Sequence, residues 1–323
     1  MLVTGGAGYL GSILVRKLLE RGHETVVLDD FTYGRDSLAD VEGHPKLTVV
    51  EGDVCNIKDV SRALRRADRV IALAAIVGDP AAALDEEMTY VVNYESTKVL
   101  VELCNRSHVR RLVFASSCSV YGAHPELVLN EGSRLNPQSL YAVTRIMSED
   151  VIRSRADKAT CPVILRLATL FGWSYRPRFD LAVNILSAKA AKTGEFHIFN
   201  GAQWRPFLHV ADAAEAFLAV TLAAPELVAG EVFNVGTNAG NCTIAQLGDV
   251  VTRVHPKARR VDRTEAMDPR DYLVSFDKLA ACFPDLRMST TVEQGVREVS
   301  KAVVESGVDY RDGKYYNVEY LFK

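Results

Sequence analysis

A doubly wound α/β fold, with a parallel sheet covered by helices on both faces and joined to a smaller α+β lobe, is the class this sequence predicts, on three observations. Short runs rich in Val, Ile and Leu alternate with amphipathic helical patterns as far as Gly172, the arrangement expected of buried parallel strands and crossover helices. The first run breaks into closely spaced glycines and continues as a helical pattern ending at Gly22. Past Gly172 the character changes to a polar loop, short strands and intervening helices. We therefore divide the chain into a first domain at 1–172 and a second lobe at 173–323, interleaved at an approximate boundary.

Leu2-Val3-Thr4 reads as the first strand, and Gly5, Gly8 and Gly11 follow at G-x-x-G-x-x-G spacing. In a strand-turn-helix of this kind the glycines allow a tight turn, close approach to a pyrophosphate and close helix packing, with the helix N-terminus facing the phosphates. Taken alone, the glycines fit a flexible loop equally well. The second strand, Glu24 to Leu28, ends in Asp29, 21 positions beyond Gly8, where an acid would bind an adenosine ribose and repel a 2′-phosphate; this favours NAD over NADP. The alternative for Asp29 and Asp30 is an ordinary solvated turn.

The alternation continues through Leu47–Val50, a helix at Ile57–Arg66, Val70–Leu73, a long helix from Glu86 to Ser107 and Arg111–Phe114. Asn136-Pro137 predicts a capped start for a helix running to Ser154, followed by a strand at Val163–Leu167. In the second part, 173–178 reads as a loop, Phe196–Phe199 and Phe207–Val210 as strands, and Thr243/Gln246 and Thr290/Glu293 as capping boxes.

Composition narrows the partners. At 323 residues and 48% hydrophobic content, the chain can bury a large core. Its net charge of -3 offers no basic surface for nucleic acid, so a phosphate site must be built from a few placed arginines. The longest apolar stretch, Val70 to Val77, is too short to cross a membrane, and the absence of a signal sequence predicts cytoplasmic residence. Six scattered cysteines without C-x-x-C pairs argue against a metal site or a disulfide framework, and most are expected to be small buried apolar residues.

Chemistry converges at the end of one strand. Phe114 through Gly122 (F-A-S-S-C-S-V-Y-G) leaves the sheet at its carboxyl edge, where such sheets bind ligands, while Tyr141 and Arg145 share a helical face at i and i+4. A hydroxyl, a phenol and a cation can thus meet one ligand. Each also has a plain structural reading: Ser117 as a turn residue, Tyr141 as packing, Arg145 as a solvated charge.

Together with Gly52-Asp53-Val54, Leu73-Ala74-Ala75, Asn93 and Arg205-Pro206-Phe207-Leu208-His209-Val210-Ala211-Asp212, these segments resemble the extended short-chain dehydrogenase/reductase superfamily, specifically its nucleotide-sugar epimerases, dehydratases and reductases of the UDP-galactose 4-epimerase type. The resemblance covers nearly the whole chain and implies a Rossmann fold. It assigns NAD contacts to Gly5, Gly8, Tyr9, Leu10, Gly11, Asp29, Asp53, Val54, Leu73, Ala74, Ala75 and Asn93. Ser117 becomes the catalytic hydroxyl and Tyr141 the acid/base phenol. Arg205 and Arg270 grip the substrate diphosphate, with Asn184 a further candidate there and Cys118 beside the substrate.

Three departures from the family pattern bear on function. Arg145 stands where a lysine normally holds the nicotinamide ribose and favours the phenolate; one cation ~4 Å away at an effective dielectric of ~20 supplies about 4 kcal/mol, so arginine can do that electrostatic work with different bulk and reach. Cys118 and Ser119 replace the Asp-Glu pair of the 4,6-dehydratases, which argues against that elimination. Ala72 replaces a histidine before Leu-Ala-Ala, and Thr169 an asparagine near the sugar. The resemblance therefore implies an NAD-dependent epimerase of a nucleotide-diphosphate sugar acting through a ring hydroxyl, with C4 the expected position. The alternatives are an NAD(P)H-dependent reductase of a 4-keto sugar nucleotide and a catalytically silent NAD-binding protein. It also implies a homodimer paired through the helices at 86–107 and 137–154. Sugar choice is expected to depend on the loops at 76–84 and 172–180.

Overall fold

The structure, a computed structural model, describes residues 1–264 and 270–320. Among these, the strands in chain order are β1 (Leu2–Thr4), β2 (Thr25–Asp29), β3 (Leu47–Glu51), β4 (Arg69–Ala72), β5 (Arg111–Ser117), β6 (Ala123–Leu129), β7 (Pro162–Leu167), β8 (Thr169–Phe171), β9 (Glu195–Phe199), β10 (Trp204–His209), β11 (Val232–Val235), β12 (Asn241–Thr243), β13 (Arg259–Arg263) and β14 (Asp271–Val274). A seven-stranded parallel sheet has the order β11-β7-β5-β4-β1-β2-β3.

The strands are apolar at consecutive positions because both faces of the sheet are covered. Leu2, Leu28, Val70, Leu112 and Ile164 enter one core, under the helices Ile57–Leu64 and Ser96–Arg106 and the end of Leu140–Arg155. Their neighbours Val3, Val27, Ile71, Val113 and Leu165 enter the opposite core, with Gly11–Glu20 and Val210–Leu222. Side chains alternate across a strand, so double coverage demands an unbroken apolar run. The chain winds from β1 through β2 to β3, then places β4 on the other side of β1. Crossovers leaving β1 and β4 in opposite directions open a crevice at their carboxyl ends.

The second lobe holds the small sheet β12-β10-β8, the pair β13-β9, and the helices Ala182–Thr193, Ile244–Val254 and Val292–Glu305 around Phe196, Phe207, Leu247 and Val296. The chain steps from β7 to β8 across Ala168, yet returns to the large sheet with the helix Val210–Leu222 and β11. Residue 172 therefore marks one of several crossings between lobes.

Several local expectations change. The tyrosine helix begins at Leu140, capped by Ser139, whose Oγ accepts the Ala142 N–H at 3.2 Å; Asn136 instead donates its N–H to the Val120 carbonyl at 3.0 Å. The capping box of the helix at 292–305 is Thr291 with Gln294, not Thr290 with Glu293, because Thr290 is drawn to the Asp212 carboxylate by its N–H (2.9 Å) and hydroxyl (3.1 Å). The box at Thr243 and Gln246 forms as expected. The long helix from Glu86 to Arg106 is interrupted by a π turn at Val91–Glu95. Cys104, Cys118 and Cys161 are buried, but Cys55, Cys242 and Cys282 are half-buried; all six are free. Among the described residues, no helix is long and apolar enough to cross a membrane.

Candidate active site

The crevice opens into a cavity of about 1180 Å³ between the two lobes. Its floor is the glycine turn. Gly5 has φ +71°, and a Cβ there would sit 2.8 Å from the Ala74 nitrogen; a Cβ on Gly11 would lie 2.1 Å from the Gly5 carbonyl oxygen. No larger residue fits at Gly11, so the first helix starts directly under the turn.

At the end of β2 the Asp29 carboxylate accepts the N–H groups of Ala7 and Phe31, both at 2.9 Å. Burial pushes this carboxyl above its usual range, against the opposing pull of those two N–H groups. Asp53 and Val54 line the cavity beyond, and Leu73, Ala74 and Ala75 form its wall after β4. Tyr9 lies on the cavity with its hydroxyl donating to the Gly172 carbonyl at 2.7 Å, which ties the glycine turn to the second lobe.

At the carboxyl end of β5, Ser117 lines the cavity and its Oγ accepts the Ser119 N–H at 3.1 Å. Tyr141, in the first turn of its helix, faces the same space, packed beside Ile76 and Val92. The Arg145 guanidinium carbon lies 5.3 Å from the Tyr141 ring centroid. Arg145 is 2% exposed, and its Nη1 donates to the Ala115 carbonyl at 3.1 Å. Its Nε and Nη2 are buried without a hydrogen-bond partner among the described residues. Burial depresses this guanidinium below the usual arginine range, with partial relief from Tyr141 and Glu149. A buried cation beside a cavity with two donors unmet among the described residues calls for an explanation beyond packing.

From the second lobe, Arg205 and Arg270 reach the same cavity. Arg205 is buried, donates Nη1 to the Trp204 carbonyl at 2.7 Å and stacks over Tyr272 at 5.5 Å; Arg270 pairs with Asp79 at 3.2 Å.

Three anticipated site residues lie elsewhere. Asn93, in the π turn, is 1% exposed and clamps Ile76 from below, its Oδ1 accepting the Ile76 N–H (2.8 Å) and its Nδ2 donating to the Ile76 carbonyl (3.0 Å); it sets the cavity loop without lining it. Asn184 is spent on the lobe junction, bonding Gly172, the Tyr9 hydroxyl and the Arg178 carbonyl. Cys118 turns its Sγ to the Arg166 carbonyl at 3.3 Å, where burial raises its pKa well above that of an ordinary thiol. The structure also supplies residues that sequence reasoning missed. Arg176 and Arg178 enter from the 173–178 loop, and two arginines in that short loop were the available signal. Beneath Ser117, Glu149 and Arg166 form an ion pair at 2.6 Å, each 2% exposed, with Ser116 donating to Glu149 at 2.5 Å and Arg166 donating to the Tyr121 hydroxyl at 3.0 Å. No spacing rule links these positions.

The doubly wound sheet, the glycine cradle and the acid at the end of β2 define a dinucleotide-binding α/β protein. Residues 1–236 match the NAD dependent epimerase/dehydratase family. A UDP-glucose 4-epimerase of Lactobacillus helveticus is 30% identical over 275 residues, spanning 79% of this chain and 82% of the relative. The UDP-glucose 4-epimerase of Thermus thermophilus, solved in complex with NAD, is similar at TM-score 0.78 and 26% identity over 94% of this chain and 99% of that one. DesIV of Streptomyces venezuelae, a dTDP-glucose 4,6-dehydratase solved with NAD and TYD bound, is similar at TM-score 0.81 and 26% identity over 95% of this chain and 97% of that one. The chain belongs to the NAD dependent epimerase/dehydratase family: it is an enzyme, and NAD is its cofactor.

Proposed function

We propose that this enzyme epimerises a nucleotide-diphosphate sugar by transient oxidation of a ring hydroxyl, at C4. The observation that carries the reading is the placement of Ser117, Tyr141 and Arg145 on a cavity that Arg205 and Arg270 enter from the other lobe. The cavity exceeds the roughly 300–1,000 Å³ of a single small-molecule site, which agrees with two ligands side by side. Gly5, Gly8 and Gly11 would hold the pyrophosphate of NAD, Asp29 a ribose diol, and Arg145 the ribose beside Tyr141. When bound, NAD supplies the acceptor and donor of hydride. Tyr141 takes the proton from the sugar hydroxyl and returns it to the same oxygen once the ketone has been reduced from its opposite face, with Ser117 orienting that oxygen. Arg205 and Arg270 supply forked donors to the diphosphate, which a chain of net charge -3 must provide locally. Neither Cys118 nor Ser119 lines the cavity, which supports epimerisation over 4,6-dehydration.

The test is the fate of the hydride. Purified protein with catalytic NAD and a panel of UDP- and dTDP-sugars is expected to interconvert epimers, followed by NMR, without net absorbance change at 340 nm. Stoichiometric NADH consumption with a 4-keto sugar nucleotide, and no interconversion of hydroxy sugars, would establish a reductase instead.

We also propose a homodimer through the helices near 86–106 and 140–155. Tyr90 and Val143 leave apolar side chains exposed on these helices, which pack against one another.

A further inference from the structure

The chain continues past the helix Val292–Glu305 and turns back across the cleft. Tyr310 and Tyr315 set their rings edge-on to Phe179, at 6.1 and 5.7 Å, and the Phe179 N–H donates to the Tyr315 carbonyl at 3.0 Å. Two residues later the tail reaches the cavity. Asn317 is 1% exposed and spends both ends of its amide on different loops: Oδ1 accepts from Arg176 Nη1 at 2.7 Å, and Nδ2 donates to the Val77 carbonyl at 3.0 Å. Val77 lies in the loop leaving β4, on the large-sheet side. Arg176 lies in the loop after β8 and places its guanidinium 3.9 Å from the Tyr33 ring centroid, just beyond Asp29. Val318 then packs with Ile76, Ala81, Ala82 and Tyr141. One buried side chain thus connects loops from the two sides of the cleft, and the next residue rests against the reacting end.

We propose that the C-terminal segment is a clasp of the cofactor site, in which Asn317 is a positioning residue that holds the Val77 and Arg176 loops closed around NAD. Burying an amide at 1% exposure with its oxygen and nitrogen matched to two separate loops fixes the distance between those loops. A buried hydrogen-bonded bridge of this kind is costly to break, because it leaves the Val77 carbonyl and an Arg176 N–H to find new partners. The clasp requires only the family's cofactor, so it stands or falls independently of which sugar is turned over.

The experiment compares full-length wild-type protein with Asn317→Ala, using NAD itself as probe. The expected result is an NAD dissociation constant raised by about ten-fold, with faster NAD release. A role confined to stability would lower the melting temperature of the ligand-free variant and leave the affinity of its folded fraction unchanged; NAD affinity within about two-fold of wild type overturns the proposal. Should the variant fail to fold, hydrogen-deuterium exchange on the wild-type protein decides. Saturating NAD is expected to slow exchange in 306–320 together with the loop at 76–84, and unchanged exchange in the tail overturns the clasp. A protein that binds NAD through this clasp but interconverts no nucleotide sugar would overturn the epimerase reading alone.

Discussion

Arg145 carries a charge into the interior with two donors unmet among the described residues, and this sets the clearest tests at the residue scale. Replacing it with lysine keeps the cation but removes the fork; kcat/KM is expected to fall about ten-fold, and further in Arg145→Ala, measured by steady-state turnover. Tyr141→Phe is expected to lower kcat by about 100-fold or more, the usual scale of a lost acid/base, with NAD affinity and melting temperature preserved. Asp29 adds a pH dependence. Its carboxyl is raised by burial, so on acidification it loses its charge, and with it the acceptor proposed for the ribose, at a pH above the ordinary value of ~3.9. NAD affinity is therefore expected to weaken as pH falls through that raised value, and calorimetric titrations from neutral to about pH 4 would show it; an identical trend in Asp29→Asn would assign the effect elsewhere. For the ligand-free fold the sign is opposite: a raised carboxyl costs stability once ionised, and acidification through the raised value relieves that cost.

At the scale of elements, the glycine turn was legible because its cause is local. Gly5 needs a positive φ, Gly11 has no room for a Cβ, and the apolar run before them can only be a strand buried on both sides. Gly11→Ala is expected to displace the first helix from the turn and weaken NAD binding severely, while the far strands retain their amide protection; calorimetry and hydrogen exchange read the two effects. The helix at 140–155 shows the limit of such reading. Asn136-Pro137 satisfies a capping rule, but the helix starts three residues later, at Leu140 under the Ser139 cap, while the Asn136 N–H bonds the Val120 carbonyl. The π turn at 91–95 was equally hidden, since its role is to aim Asn93 at Ile76 on another element.

At the scale of the molecule, the ion pair of Glu149 and Arg166 fastens the tyrosine helix to β7 and, through Ser116, to the strand that carries Ser117. Burial alone would lower the Arg166 pKa, but the adjoining Glu149 carboxylate overrides it and holds the proton above the usual arginine range. Glu149→Ala strands that cation, and a loss of about 3–5 kcal/mol is expected in denaturant unfolding, with less than additive loss when Arg166 is removed as well. Across the lobes, Arg205→Ala is expected to weaken nucleotide-sugar binding by about 1.5–3 kcal/mol while leaving NAD affinity unchanged, by calorimetry of each ligand.

The alternation of strands and helices, the glycine cradle, the acid ending β2 and the Ser-Tyr-Arg constellation were readable in the sequence, because each is fixed by backbone geometry or by spacing along one strand or helix. Tertiary structure alone decided which polar residues face the cavity. Asn93, Cys118 and Asn184 have chemistry suited to a ligand but are consumed by Ile76, Arg166 and Gly172, whereas Arg176 and Asn317 enter a cleft made largely by other parts of the chain. A buried amide or guanidinium is satisfied by whichever backbone group the fold brings within about 3 Å, and that partner can lie 240 positions away, as Val77 does from Asn317.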